Sequence, residues 1–131
     1  MADMADVRSN HGCGRVTNSA TGKEEVVVAG GISRVPGSCC PPISTSEIYT
    51  VADDAWRQGP SLQKASYGHT SLPYEDSFLI MGGYDGSSCS DSIYKVEFHD
   101  IISMNVVVFS FLCLLRLCMR TQDLTSLPLI Q

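Results

Sequence analysis

The chain contains 131 residues, with 9 lysine and arginine residues against 14 aspartate and glutamate residues, so its formal net charge is −5. This length accommodates about one domain, because domains usually contain roughly 100–200 residues. Hydrophobic residues make up 44% and charged residues 18% of the sequence, which is unlike the composition of a disordered chain. The acidic balance argues against nucleic-acid binding, because nucleic-acid-binding domains usually carry a basic patch.

The 6 cysteines are expected to be reduced thiols of an intracellular protein. An even number of cysteines in a short chain indicates a disulfide framework only where the protein is secreted. The sequence starts Met-Ala-Asp-Met-Ala-Asp and so carries acids where a secretory signal has lysine or arginine. We therefore expect a cytoplasmic protein. Exposed, redox-sensitive thiols are a further hypothesis for Cys39 and Cys40.

Residues 1–10 are polar and are expected to form a flexible start. From residue 11 to residue 98, short apolar runs bounded by Gly, Pro, Ser or Asp predict β-strands. The predicted strands are Glu25–Ala29, Ser46–Val51, Ser77–Met81 and Ser92–Val96. Residues 33–42 contain a glycine and two adjacent prolines and are expected to form an exposed loop. This middle stretch is predicted to be all-β, because no run within it is long enough for a helix.

One pattern occurs twice in the middle stretch: a histidine, an apolar run that ends in a glycine pair, and an Ile-Tyr pair. The first copy contains His11, Gly30, Gly31, Tyr49 and a following Trp56, and the second contains His69, Gly82, Gly83 and Tyr94. The two histidines are expected to be structural residues between strands. The copies differ in length only where loops are predicted, which is where repeats tolerate insertions. One copy has up to four strand candidates and the size of a β-propeller blade.

The pattern resembles the kelch repeat family. Met81-Gly-Gly-Tyr-Asp-Gly86 is similar to the double-glycine turn of the family, and Ser46–Trp56 is similar to its tyrosine and tryptophan strands. The resemblance covers roughly residues 8–96. It implies an incomplete propeller of two kelch-like blades, the first at residues 11–65 and the second, truncated, at residues 66–98.

The second copy departs from the pattern after Val96. Aligning the copies places the second tryptophan at position 101, which is occupied by Ile101. The last strand of the second copy is therefore expected to be missing, or to be replaced by Phe98–Asp100 and the residues that follow. Because propellers usually have about four to eight blades, we predict a fragment or truncated product, or a module that associates with further blades.

Residues 99–131 form an apolar tail that does not resemble the repeat and is predicted to be helical. Ile101–Leu115 contains no charged residue, and the longer run Ile101–Met119 includes Arg116. A membrane anchor at Ile101–Met119 is one interpretation, although a bilayer core about 30 Å thick needs about 20 apolar residues. A buried or aggregation-prone segment is the favoured interpretation.

The sequence contains no phosphate loop, dinucleotide fingerprint or nucleophile elbow, so neither an enzyme nor a cofactor is predicted. A zinc site at His11, Cys13, Cys39 and Cys40 is not favoured, because the sequence has no Cys-x₂-Cys pair. We predict instead a protein-interaction module with an unidentified protein partner. Its candidate contact residues are Arg34, Tyr67 and Tyr84, because arginine and tyrosine are enriched at binding hot spots.

The resemblance to kelch proteins implies two kinds of interaction partner. Members of the family recruit substrates to cullin-based ubiquitin ligases or bind actin, and either activity is an expectation for this chain. Two alternatives remain open: a fragment of a propeller enzyme, and a small membrane-anchored protein that uses Ile101–Met119 as its anchor.

Overall fold

The computed structural model describes residues 1–34, 36–37 and 40–104. These residues form ten β-strands and no helix. The strands lie in two four-stranded sheets and one two-stranded sheet, all antiparallel. The all-β prediction for the middle stretch is confirmed. The predicted helical tail from residue 105 onward, like Cys39, lies outside the described residues.

Each four-stranded sheet is a simple meander of strands that are neighbours in the sequence. The first sheet has the order β2 (Gly12–Thr17), β3 (Glu24–Ala29), β5 (Ser46–Thr50) and β6 (Ala55–Gln58). The second has the order β7 (Thr70–Tyr74), β8 (Ser77–Met81), β9 (Ile93–Val96) and β10 (Ile101–Met104). The two-stranded sheet joins β1 (Arg8–Ser9) to β4 (Ile32–Ser33). The four strands predicted from apolar runs are β3, β5, β8 and β9, and each lies within about one residue of its predicted bounds.

The two meanders also correspond in register. The equivalent pairs are Gly12–Ala29 and Thr70–Met81 between the first two strands, and Ala29–Ser46 and Met81–Ile93 between the second and third. Short bridges outside the meanders correspond as well: Ser9–Ile32 matches Tyr67–Tyr84, and Ile32–Pro42 matches Tyr84–Cys89. His11 and His69 each directly precede the first strand, so they occupy equivalent positions.

The two tyrosines of the Ile-Tyr pairs do not occupy equivalent positions, contrary to the sequence alignment. Tyr49 pairs with Val26, four residues before its glycine pair, whereas Tyr94 pairs with Ile80, two residues before its own. The residue that corresponds to Tyr49 is Val96. The sequence alignment therefore matches Tyr49 to a residue two positions before its structural counterpart. A shift of two keeps every side chain on the same face of the strand, so the sequence pattern does not reveal it.

The second sheet has a fourth strand. Ile101 lies opposite Val96, just as Trp56 lies opposite Tyr49. Of the two expectations for this strand, the structure shows replacement rather than loss, and residues 101–104 are extended rather than helical as predicted. The replacement has a physical basis, because the β-branched Ile101 is 5% exposed and packs into the core at the place that corresponds to the tryptophan.

Residues 1–10, for which the sequence predicts a flexible start, make specific contacts with the first sheet. Arg8–Ser9 pairs with Ile32–Ser33. The buried Arg8 guanidinium donates a hydrogen bond to Glu47 Oε1 at 2.9 Å, and two main-chain amides of the segment also donate to the Glu47 carboxylate. Pairing makes a buried arginine tolerable. The local composition of the segment does not indicate this pair, because its partners are 39 positions apart.

The core lies where the first strand of one sheet packs against the second strand of the other. Gly14 of β2 faces Phe78 of β8 so closely that a Cβ at Gly14 would lie 2.2 Å from a ring carbon. The core cluster consists of Val16, Val27, Ala29, Ile48, Leu62, Phe78, Ile80, Tyr94, Val96 and Ile101. The two sheets therefore share one hydrophobic core.

Candidate interaction surface

Both sheets place their longer connections at the same end of the molecule. In an antiparallel meander, successive connections alternate between the two ends of the sheet. The connections between the second and third strands of each sheet, and the link between the two sheets, therefore lie at one end of the molecule; they are residues 30–45, 82–92 and 59–69. We call these three connections the long-loop end. Two of them meet directly, because a Cβ at Gly86 would lie 3.6 Å from Pro42 Cγ.

Tyr67 and Tyr84, two of the predicted contact residues, lie side by side at the long-loop end. Their main chains exchange two hydrogen bonds, of 3.1 Å from Tyr67 N and 2.8 Å from Tyr84 N. Their rings meet edge to face with centroids 5.7 Å apart, a favourable aromatic geometry. Both side chains are half-buried. The structure therefore holds two partly exposed aromatic rings in a fixed arrangement.

Arg34, the third predicted contact residue, is exposed on the connection that follows β4. Its main-chain amide donates to Val7 O at 3.2 Å. Among the described residues, no cation–π contact joins its side chain to Tyr67 or Tyr84. The structure thus brings together two of the three predicted contact residues.

An ion pair that sequence reasoning missed lies beside the tyrosines. Lys64 is paired with Asp85, and the same carboxylate accepts main-chain hydrogen bonds from Ser87 and Ser88 at 2.8 and 2.7 Å. Hydrogen bonding to Lys64, and then to the two serines, holds the pKa of Asp85 well below its usual range. The sequence could have indicated that Asp85 accepts these bonds, because an aspartate at the start of a turn commonly accepts hydrogen bonds from the main-chain amides that follow it.

His69 is the central contact between the two sheets at this end. Its ring lies between the glycine pairs: a Cβ at Gly30 would be 2.7 Å from His69 Cε1, and one at Gly83 would be 2.8 Å from His69 Cδ2. Ser66 Oγ and His69 Nε2 are 2.7 Å apart, and Ser66 O accepts a hydrogen bond from Gly31 N at 2.9 Å. The glycines are required here because any side chain would displace the imidazole ring.

His11 takes the equivalent place on the first sheet. A Cβ at Gly31 would lie 3.1 Å from His11 Cβ, so each histidine packs on the second glycine of its own pair. The Nδ1 atoms of His11 and His69 are both buried and have no hydrogen-bond partner among the described residues. Burial lowers the pKa of both imidazoles, and the nearby Arg8 charge lowers that of His11 further.

The Ser66–His69 hydrogen bond also has the composition of a nucleophile and base. In a serine hydrolase the second imidazole nitrogen donates to an orienting carboxylate, but His69 Nδ1 has no such partner among the described residues. Ser66 is also buried, so a substrate does not reach its hydroxyl. The arrangement is therefore suited to packing two sheets rather than to acyl transfer.

Tyr49 and Trp56, which the repeat pattern makes candidates to fill space between adjacent sheets, contact each other at the outer edge of the first sheet. Their ring centroids are 5.1 Å apart across β5 and β6. The indole Nε1 donates to Ala2 O at 2.9 Å, and the Tyr49 hydroxyl donates to Asp54 Oδ1 at 2.6 Å. The pair thus binds the first residues of the chain to the outer edge of the first sheet.

Three of the cysteines, Cys13, Cys40 and Cys89, are exposed free thiols. Among the described residues, no group of three or more His, Cys, Asp or Glu side chains is arranged to hold a metal ion. None of the residues that the structure describes belongs to a helix long and apolar enough to cross a membrane. The hypothesis of redox-sensitive thiols stays a prediction, and it rests on Cys40 within the described region.

Acid is expected to destabilise the fold below about pH 6.5. The folded state favours neutral His11 and His69, so the unfolded chain binds more protons once pH falls below the ordinary histidine pKa of about 6.5. The free energy of unfolding should therefore be constant above this pH and fall below it, by at most about 1.4 kcal/mol per pH unit for each histidine. Urea unfolding at several pH values between 8 and 5 measures the effect.

The exposed His99 provides the matched control for this titration. His99→Gln should retain the loss of stability on acidification, whereas His69→Gln should reduce it. A free energy of unfolding that is constant from pH 8 to pH 5 would contradict the burial of the two imidazoles.

Comparisons with known proteins add one partial similarity. No family model matches the chain. A probable serine/threonine-protein kinase of Dictyostelium discoideum is 35% identical over an alignment of 57 residues, and the alignment covers 38% of this chain. The match covers 4% of the kinase, so the chain corresponds to a small part of that protein. The similarity shows neither a family nor an activity for this chain.

Proposed function

We propose that the chain is a protein-interaction module built from two kelch-like propeller blades. The observation that carries the proposal is the correspondence of the two meanders, each with a glycine pair after its second strand and a histidine before its first. This arrangement agrees with the sequence resemblance to kelch repeats. A repeat of one supersecondary unit stacked on the next is typical of binding scaffolds.

The long-loop end is the proposed binding surface. Tyr67 and Tyr84 offer two part-exposed rings that contact each other edge to face on main chains paired by two hydrogen bonds, so little conformational entropy is lost when a partner binds. Aromatic side chains in such positions are common hot spots. The exposed Arg34 supplies a positive charge at the same end. A folded protein or peptide is the class of ligand that suits this surface.

The identity of the partner follows only from the family resemblance. We propose a cytoplasmic protein whose partner is a ubiquitin-ligase substrate or actin, and a propeller-enzyme fragment is the less favoured alternative. The membrane-anchored alternative is weakened by β10, because Ile101–Met104 is paired with β9. An anchor that starts after Met104 and ends at Met119 would span only about 22 Å as a helix, less than the bilayer core of about 30 Å.

Site-specific crosslinking tests the proposed surface. A photoreactive phenylalanine derivative at position 84 should crosslink to a defined protein in cells. The same group at position 51, which is exposed on a turn at the opposite end, should not. The yield at position 84 should fall at least about tenfold when Tyr67 is also replaced by alanine, since hot-spot residues contribute about 2 kcal/mol or more. Equal crosslinking from positions 84 and 51 would contradict the proposal.

A further inference from the structure

The contact between the two sheets is directional. The first sheet presents Gly30, which receives the imidazole of His69, and Gly14, which receives the ring of Phe78. The second sheet presents the histidine and the phenylalanine. The two sheets are equivalent in register. The second sheet therefore carries a counterpart of the surface that receives His69 and Phe78, and the first sheet carries a counterpart of the surface that presents them.

The second sheet carries an unfilled counterpart of the receiving surface. Gly82 corresponds to Gly30 and has a similar φ, +70° against +66°. Among the described residues, a Cβ at Gly82 meets only Ser90 O, at 3.7 Å. Gly83 N, the counterpart of Gly31 N, has no acceptor within the described part of the chain. The place beside Gly30 that the His69 imidazole occupies is therefore open beside Gly82.

Exposed apolar side chains mark both free surfaces. Leu72 corresponds to Gly14 and is 44% exposed, and Val26 corresponds to Phe78 and is 36% exposed. Each lies on the face of its sheet that points away from the shared core, because neighbouring residues of a strand point to opposite faces. An exposed apolar side chain thus stands at the counterpart of each residue of the internal Gly14–Phe78 contact.

We propose that a second copy of the chain docks head to tail on the second sheet. His11 of one copy would pack against Gly82 of the other, and Val26 against Leu72, as His69 packs against Gly30 and Phe78 against Gly14. The contact uses different surfaces on the two copies and is therefore heterologous, so it continues into a ring or a filament. This inference rests on the internal repeat and is independent of the proposed binding partner.

Sedimentation of the full chain over a series of concentrations tests the proposal. The wild type should form species of at least twice the 14.2 kDa monomer mass at high concentration. Leu72→Asp should remain a monomer, because it places a charge in the contact. Val51→Asp, at a residue that is 64% exposed on a turn, should associate like the wild type.

A second variant isolates the open glycine. Gly82→Asn suits a positive φ, and its Cβ makes only an ordinary contact with Ser90 O within the described chain, but it would collide with an incoming imidazole. It should therefore fold, as circular dichroism would show, and remain a monomer. Gly22→Asn is the matched control, because Gly22 has φ +67° and nothing within 4 Å.

Mixing two defective variants distinguishes head-to-tail docking from a symmetric contact. Leu72→Asp and Val26→Asp each retain one intact surface, so their mixture should form a heterodimer although each alone is a monomer. A wild type that is monomeric at every concentration would overturn the proposal. Association that is unaffected by Leu72→Asp and Gly82→Asn would overturn it equally, because another segment would then make the contact.

Discussion

Replacement of Phe78 by alanine is expected to lower the free energy of unfolding by about 3–5 kcal/mol. The ring is 2% exposed and lies in the core shared by the two sheets, directly over Gly14. Truncation therefore removes buried apolar area and leaves a cavity that strands on both sides prevent from closing. Chemical denaturation of the wild type and the variant measures the difference.

A double-mutant cycle with Gly14 makes this test specific to the contact between sheets. Gly14→Ala alone should be strongly destabilising, because its Cβ would overlap the Phe78 ring. The same substitution in the Phe78→Ala background should cost much less, giving a coupling energy of about 1–3 kcal/mol. Val51→Ala, at an exposed turn, should change stability by less than about 0.5 kcal/mol. Additive effects of Gly14→Ala and Phe78→Ala would contradict the contact.

Gly30→Ala is expected to be more destabilising than the same substitution at the equivalent Gly82. Both glycines have a similar positive φ, so alanine costs about 1–2 kcal/mol at either position. At Gly30 the new Cβ would also lie 2.7 Å from Ser66 O and from a carbon of His69, which adds about 1–3 kcal/mol for overpacking.

The two alanine variants control for each other when they are unfolded at the same low protein concentration. Gly30→Ala should have a midpoint of denaturation clearly below that of Gly82→Ala, with similar slopes. Equal midpoints would contradict the difference in packing at the two glycine pairs.

The sequence predicts most of the second and third strands but fewer of the outer ones. Val27, Val28, Phe78 and Ile80 stand in short apolar runs that end at a glycine pair, which is a strong strand signal. The first strands, Gly12–Thr17 and Thr70–Tyr74, have no such run. Proline at position 73 is tolerated because β7 is an edge strand. Their pairing comes from tertiary contacts that local propensity does not encode.

The candidate site could be predicted only where it depends on repeated residue types. His11 and His69 were identified from their equivalent spacing, and their burial agrees with a structural role. The pairing of Tyr67 with Tyr84 could not be predicted, because it depends on the register between a connection and a glycine pair. The Lys64–Asp85 ion pair was missed for the same reason.

The central claim is that the two sheets are consecutive copies of one unit, joined where His69 lies between the two glycine pairs. Nuclear Overhauser effects from the imidazole protons test it most directly in solution. The account requires contacts from His69 Hε1 to the α-protons of Gly30 and from His69 Hδ2 to those of Gly83. Their absence, in a sample that shows the expected cross-strand contacts between β8 and β9, would contradict it.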